Sequence, residues 1–311
     1  MSEVTSPLAL DETLQQVAAK LGAISFSEVT GQTGKSAYES AQDGGFTGTE
    51  AEFNSEIAKM PTVIRPNLII NPYFIGGGSQ QGGGQFPINQ KGQTSYSGNA
   101  AKTIDGWILR GAPTLSIGSD GISIGTDSVF HGIIASVENG VAMLAGKTVT
   151  ISALISAVTG SGEATIALSN GGASNVVGTV LDSVSFSAAG LYSKTFTVPS
   201  SLSNAYINFC ITAANNNSIG FTIQAAKLEL GDTQTLAHNE GTEENPVWVL
   251  NEIPNFTEEL WKCQRYYQLF ASSSYRPTYG EDYRPPMRLH SPSKGTISIG
   301  GTTYYYADSN L

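Results

Sequence analysis

Alternating apolar and polar residues mark the middle of the chain and predict β-strands. In the segment TVTISALISA, Val149, Ile151 and Ala153 would share one face of a strand, with threonine and serine on the other. Eight further short segments have strand-like composition and are separated by turn residues: 106–110, 114–118, 121–125, 163–169, 182–187, 191–198, 205–213 and 219–230. Regularly spaced short strands are typical of an antiparallel sandwich. We therefore predict a jelly-roll-like β-sandwich over residues 62–236.

The first sixty residues instead follow the helical period. One apolar stripe has the spacing of a heptad seam: Leu10, Leu14, Val17, Leu21 and Ile24. An ordinary amphipathic helix has the same spacing, so self-association through this stripe stays one of two interpretations. Two shorter helices follow, each with a capping-box pair: Ser36 with Glu39 and Thr49 with Glu52. We predict that residues 1–61 form a helical region for oligomerisation or attachment.

Residues 237–311 combine a linker, an aromatic helix and a tyrosine-rich tip. The segment 257–270 has apolar residues at helical spacing that would form its buried stripe: Leu260, Cys263, Tyr267 and Phe270. Further on, GTISIGGTTYYYAD predicts a hairpin, because Gly300 and Gly301 supply the positive φ angles that a tight turn needs. The predicted fold is therefore mainly β, with a short N-terminal helical region and a small C-terminal tip of helix plus strands.

The charge balance argues against a nucleic-acid partner. The chain of 311 residues carries 16 Lys and Arg against 26 Asp and Glu, a formal net charge of −10, whereas phosphate binding needs clustered cations. No apolar run approaches the length of a membrane span, so we predict no membrane insertion. The N-terminus does not have the pattern of a secretory signal. Cys210 and Cys263 are expected to be buried free thiols.

Candidate catalytic groups are scattered along the sequence, so we predict no enzyme activity. Glycoside hydrolysis needs two carboxylates on either side of a sugar bond, but the acids of the sandwich are dispersed: Asp105, Asp120, Asp127, Glu138, Glu163 and Asp182. His131, His238 and His290 form no local cluster, which disfavours a catalytic triad or a zinc site. We expect no cofactor and no metal, with a structural calcium between Asp120 and Asp127 left open.

Aromatic and amide side chains are the best candidates for a sugar site, because rings stack on the apolar faces of sugars while amides bind hydroxyls. Tyr96, Asn99 and Trp107 are close together in the sequence. Core packing is the alternative interpretation of Trp107. A second candidate surface lies near the C-terminus: Tyr275, Tyr279, Tyr283 and Arg284. Tyrosine and arginine are favoured both at recognition sites and at subunit interfaces, so this group would contact either a receptor or a neighbouring subunit.

Two sequence blocks carry a family resemblance. KLELGDTQTLAH followed by WVLNEIPNFTEELWKCQRYYQ, within residues 227–268, resembles a junction found in tail-fibre proteins of bacteriophages and prophages. NPYFIGGGSQQGGGQFPINQKGQTSYSGNAAKTIDGW, residues 71–107, resembles the opening of the same module. GKSAYESAQDGGFTGTEAEFNSEI is similar to a small connecting module of such fibres. The resemblance implies a virion fibre whose N-terminal region attaches to other virion proteins, and a sandwich like that of carbohydrate-binding modules.

The resulting hypothesis is a structural fibre protein on the surface of a phage particle, assembled in the host cytoplasm. It would be a homotrimer that binds host-surface polysaccharide or glycan without cleaving it. A head fibre or capsid-decoration protein is one alternative, and a carbohydrate-binding module of a secreted bacterial protein is another.

Overall fold

The computed structural model describes residues 36–59, 64–78, 85–272, 277, 280–283, 285–288 and 291–309. Its contacts divide the chain into two units, Met1–Met60 and Pro61–Leu311. The predicted apolar stripe from Leu10 to Ile24 lies outside the described residues. Within the described part of the chain, no helix has the length and apolar character needed to cross a membrane.

The first unit contains helix α1 (Ala37–Asp43) and helix α2 (Glu50–Lys59). Both predicted capping pairs are confirmed. The Ser36 hydroxyl accepts from the Glu39 amide at 3.1 Å, and the Glu39 carboxylate accepts from the Ser36 amide at 2.7 Å. The pair at Thr49 makes the same two contacts, at 3.3 and 2.6 Å. Each cap satisfies amides that the first helical turn leaves without partners.

The second unit is built around two antiparallel sheets. Their strands are, in chain order, β1 (Ser95–Ser97), β2 (Trp107–Arg110), β3 (Thr114–Gly118), β4 (Gly121–Ile124), β5 (His131–Val137), β6 (Thr148–Gly160), β7 (Ala164–Gly171), β8 (Thr179–Phe186), β9 (Gly190–Thr197), β10 (Tyr206–Ala213) and β11 (Ile219–Leu230). The six-stranded sheet has the order β1-β3-β4-β11-β6-β9, and the five-stranded sheet has the order β2-β5-β10-β7-β8. A short helix α3 (Gly140–Leu144) joins β5 to β6. The predicted mainly-β fold with antiparallel sheets is confirmed.

The main core lies between the two sheets. Val149, Ile151 and Ala153 on β6 are fully buried in it, as their alternation predicted. Trp107 on β2 packs edge-on against Phe209 on β10, with ring centroids 6.2 Å apart. Burying a large apolar side chain contributes roughly 1.5–3 kcal/mol, so this layer supplies most of the stabilisation of the sandwich.

An irregularity in β11 changes which of its residues face the core. Ile223 and the odd-numbered residues before it point inward, but after register shifts on both sides of Ile223 the inward residues are Ala226 and Leu228. Because side chains alternate along a strand, one extra residue moves every later side chain to the other face. Lys227 and Glu229 therefore lie on the outer face of the six-stranded sheet, beneath the C-terminal segment.

The C-terminal segment contains β12 (Ala237–Asn239), β13 (Trp248–Leu250), helix α4 (Phe256–Gln264), β14 (Tyr267–Phe270), a 3-10 turn (Gly280–Asp282), β15 (Ser293–Ile299) and β16 (Thr302–Asp308). β12 pairs with β13, and a second sheet has the order β14-β16-β15. The predicted hairpin is confirmed, because β15 and β16 pair around Gly300 and Gly301, whose φ angles are 57° and 81°.

Two sequence predictions of elements are corrected. The helix predicted to reach Phe270 ends at Gln264, because Tyr267–Phe270 pairs with β16 and the Tyr267 ring stacks on Tyr306 at 5.5 Å. Tertiary pairing overrides the helical spacing here. Strand β5 was not predicted, although it lies between β2 and β10 in the five-stranded sheet. Its sequence, HGIIASV, has no regular alternation of apolar and polar residues to mark it.

Candidate functional site

The aromatic residues predicted at a sugar surface lie in the interior. Tyr96 is 6% exposed and its hydroxyl donates to the Asn89 side chain. Trp107 is 1% exposed, and its indole N–H donates to the Asn71 carbonyl at 3.0 Å. These rings contact core side chains rather than solvent, which corrects the expectation that they face a ligand. For Trp107 the core-packing alternative describes its position.

The remaining predicted ligand residues are dispersed. Asn99 is exposed and accepts a hydrogen bond from the Gly111 amide at 3.2 Å. Tyr283 is buried, with its hydroxyl donating to the Pro277 carbonyl at 2.9 Å and its ring against Phe270. The other members of the distal group lie outside the described residues: Tyr275, Tyr279 and Arg284. The described members do not form a common surface.

A buried polar centre lies where the turn 89–92 meets the C-terminal segment. Asp105 is fully buried, and its Oδ2 accepts from the Gln90 backbone at 3.3 Å and from its amide side chain at 3.0 Å. Burial raises the pKa of Asp105 to about 7, against the opposing attraction of Lys91. The Gln90 side chain also donates to the Tyr267 carbonyl at 2.8 Å. This centre therefore joins the C-terminal segment to the sandwich.

Other candidate chemical groups have structural contacts. Asp127 accepts from the backbone amides of Ala112 and Ser128 at 3.0 and 2.7 Å, and these contacts hold its pKa below the ordinary value. His131 is buried, with each ring nitrogen 2.7 Å from a backbone carbonyl. Within the described ranges, no group of three or more His, Cys, Asp or Glu could hold a metal ion. His290 lies outside those ranges.

A cavity of about 550 Å³ lies between the outer face of the six-stranded sheet and helix α4; we call it the Lys227 lobe. Its lining residues come from three regions of the chain, 64–73, 225–236 and 252–262: Ile64, Arg65, Pro66, Asn67, Pro72, Tyr73, Ala225, Ala226, Lys227, Thr235, Leu236, Glu252, Pro254, Glu258, Glu259 and Lys262. The Tyr73 ring is half-buried, and its inner edge packs against Phe86 with centroids 5.2 Å apart. The volume falls in the range of roughly 300–1,000 Å³ that is common for small-ligand sites.

Lys227 places a cation in the wall of this lobe. Its side chain is 3% exposed, its ammonium donates to the Thr235 hydroxyl at 2.8 Å, and it lies 3.8 Å from Glu229. Burial lowers the pKa of Lys227, while the nearby Glu229 carboxylate acts to raise it. An ammonium has three N–H donors, and the described residues accept from one of them. The Glu229 carboxylate at 3.8 Å lies beside the same ammonium.

A second cavity of about 450 Å³ lies at the other end of helix α4; we call it the Tyr266 lobe. It is lined by Asn67, Leu68, Ile69, Ile70, Ser136, Glu138, Asn139, Met143, Lys262, Arg265 and Tyr266. Tyr266 is 4% exposed, and burial raises its pKa to about 12. Neither the Tyr266 hydroxyl nor the Ser136 hydroxyl has a hydrogen-bond partner among the described residues. At the rim, Arg265 donates to Glu138 at 2.6 Å.

Asn67 and Lys262 line both lobes, so the two cavities adjoin beside helix α4. We call the combined feature the α4 groove. Asn67 is held in place, because its side chain donates to the Ala226 carbonyl at 2.8 Å and accepts from the Leu228 amide at 3.2 Å. Lys262 is half-exposed and pairs with Glu259. The lobes therefore adjoin where the hydrogen-bonded Asn67 side chain and the half-exposed Lys262 side chain lie.

The α4 groove was not predicted from the sequence. One available signal was the segment AKLELGD, in which Lys227 and Glu229 stand two residues apart and therefore on the same face of a strand. Opposite charges on one face of an otherwise apolar strand indicate that this face is polar or paired. Nothing in the sequence indicated that helix α4 would cover them.

The chain is similar to solved structures at low sequence identity. No family model matches the chain, and no curated protein matches it. Among solved structures, the C-terminal family 22 carbohydrate-binding module of Clostridium thermocellum Xyn10B is 17% identical with a TM-score of 0.32, covering 47% of this chain and 99% of that one. The xylan-binding module CBM15 is 12% identical with a TM-score of 0.32, covering 46% and 100%. The CBM22-1 xylan-binding domain from Paenibacillus barcinonensis Xyn10C is 12% identical with a TM-score of 0.31, covering 45% and 94%. At TM-scores of this size the likeness carries no conclusion about a ligand.

Proposed function

We propose that this chain is a non-catalytic, glycan-binding fibre protein of a phage particle. The observation that carries the glycan part is the Lys227 lobe, whose lining combines a half-buried tyrosine ring with hydrogen-bond donors and acceptors. A sugar ring has an apolar face and hydroxyls that both donate and accept. Tyr73 offers the stacking surface, Lys227 offers N–H donors, and Glu252 and Glu258 offer exposed acceptors.

The contacts of the lobe's carboxylates favour binding over hydrolysis. A glycosidase needs a general acid that stays protonated near neutral pH, which usually requires a buried carboxyl group in an apolar site. Glu259 is the buried acid of the lobe, but it accepts from the Asn71 amide at 2.9 Å and pairs with Lys262. Both carboxylate oxygens of Glu259 are therefore occupied by contacts within the protein, Oε2 by the Asn71 amide and Oε1 by Lys262. Glu252 and Glu258 are exposed to water at the mouth of the lobe.

The virion role rests on the sequence resemblance to tail-fibre modules. The two resembling blocks, within residues 71–107 and 227–268, include Tyr73 and Lys227 of the lobe. Trimerisation would place three copies of a weak site on one stalk, and linked sites gain overall strength without new contacts. Light scattering of the purified chain should give the mass of three chains, and a monomer at micromolar concentration would contradict this part of the proposal.

Glycan-array binding tests the function directly. The double variant Glu252→Ala/Glu258→Ala should weaken glycan binding, because it removes acceptors without disturbing the core. Glu243→Ala/Glu244→Ala is the matched control, since both residues are exposed, carry the same charge and lie outside the groove. Release of reducing ends from a bound polysaccharide would show that the protein cleaves its ligand and would contradict the proposal of non-catalytic binding. Imaging of labelled protein on whole particles would separate a tail fibre from a head fibre, and absence from particles would favour a secreted binding module.

A further inference from the structure

We propose that the α4 groove binds one neutral oligosaccharide that spans both lobes, and that Tyr266 and Ser136 bind sugar hydroxyls at its far end. This inference rests on the proposed glycan-binding function and adds the length and charge class of the ligand. The geometric basis is that both cavities are lined by Asn67 and Lys262. A ligand that fills the Lys227 lobe and extends past Lys262 would therefore enter the adjoining Tyr266 lobe.

The Tyr266 lobe contains polar groups that need a partner. The Tyr266 and Ser136 hydroxyls are buried, and the described residues offer neither a hydrogen bond. Asn208 stands opposite Ser136 in the sheet register, and its Oδ1 is also buried without a partner in the described structure. Leaving a buried polar atom unsatisfied is unfavourable. A sugar hydroxyl, which both donates and accepts, would satisfy Tyr266 or Ser136 without adding charge.

The charges of the groove favour a neutral ligand over an acidic one. Each of its four cations already faces a carboxylate: Arg65 with Asp232, Lys227 with Glu229, Lys262 with Glu259, and Arg265 with Glu138. By contrast, Glu252 and Glu258 have no salt bridge among the described residues. The whole chain carries a net charge of −10, so an anionic polysaccharide is repelled at long range as well.

The test is isothermal titration with neutral oligosaccharides of increasing length, chosen from whichever neutral series binds on the array. Affinity should rise about tenfold or more from the disaccharide to the hexasaccharide, since a ligand that reaches the second lobe gains about two further hydrogen bonds. Tyr266→Phe should weaken hexasaccharide binding by about 2- to 10-fold and leave disaccharide binding unchanged. Ser136→Ala should have the same selective effect.

Tyr192→Phe is the control, because it removes a tyrosine hydroxyl that donates to the Ala188 carbonyl outside the groove. It should leave affinity for every length unchanged. Equal affinity for all lengths, with no effect of Tyr266→Phe, would overturn the two-lobe ligand while leaving glycan binding intact. That outcome would mean that the buried hydroxyls are satisfied by internal water. Tighter binding of polygalacturonate than of neutral chains would overturn the charge class, and absence of all glycan binding would overturn the proposed function itself.

Discussion

The buried carboxyl group of Asp105 should make the stability of the protein fall as pH rises towards neutrality. Asp105 is fully buried, its Oδ1 has no partner in the described structure, and its Oδ2 is contacted by Gln90. Lys91 attracts the ionised form, but burial outweighs that attraction and raises the pKa to about 7 from an ordinary value of 3.8. The folded chain therefore keeps a proton that the unfolded chain releases.

The size and sign of the effect follow from this difference in pKa. Between pH 3.8 and about 7 the folded state binds more protons than the unfolded state, so the free energy of unfolding decreases with rising pH. Below this window both states are protonated and Asp105 makes no contribution to the pH dependence. Above it the destabilisation is complete. A difference of about three pKa units, at about 1.4 kcal/mol each, corresponds to about 4 kcal/mol.

The assay is urea denaturation of the wild type and of Asp105→Asn between about pH 4 and pH 9. Asparagine keeps the shape and accepts the Gln90 hydrogen bonds, but it does not ionise. The variant should gain about 4 kcal/mol relative to wild type across this range, with most of the gain between pH 4 and pH 7. Asp120→Asn, at an exposed position, is the control and should leave the pH dependence unchanged. Parallel curves for wild type and Asp105→Asn would show that the folded chain does not retain the Asp105 proton across this range.

Two further predictions concern the core. Trp107→Ala should lower the free energy of unfolding by about 3–5 kcal/mol, because the ring packs against Phe74 and Phe209 and its N–H donates to Asn71. A loss below about 1 kcal/mol in urea denaturation, as expected of surface residues, would contradict the core position of Trp107. Cys210 and Cys263 are buried, and burial raises the pKa of Cys210 to about 12, so neither thiol should react with Ellman's reagent until the protein is denatured. Rapid labelling of the native protein would show that one of the two is accessible.

The strands of the sandwich were predictable because their faces differ. In β6 and β10 apolar residues alternate with polar or small ones, and this pattern is visible in the sequence although most residues on both faces are buried. The failure at Tyr96 and Trp107 has the opposite cause. Tyr96 is surrounded in sequence by polar residues, and Trp107 directly follows Asp105 and Gly106. The pairing of β1 with β3 and of β2 with β5 turns their rings towards the core.

The α4 groove could not be predicted because its walls are distant in sequence. Asn67 precedes the first strand, Ser136 lies on β5, Lys227 lies on β11 and Tyr266 follows helix α4. Their proximity depends on the register irregularity in β11 and on the docking of helix α4. Single-segment patterns carry no information about either. The unpartnered hydroxyls of the Tyr266 lobe likewise become visible only when all neighbouring side chains are placed.

The docking of helix α4 gives a physical reason for the joint occurrence of the two sequence blocks. Asn71, in the first block, is buried with a φ of 49°, a conformation that asparagine tolerates better than most residues. Its side chain donates to the Ile88 carbonyl and accepts from the Ile88 amide, both at 2.8 Å. Its backbone amide donates to Glu259 on helix α4 at 2.9 Å. Gln90 adds the bond to Tyr267. Since helix α4 is one wall of the groove, the first block positions the second, and the groove requires both. A substitution at Asn71 would therefore loosen the helix and the proposed glycan site together.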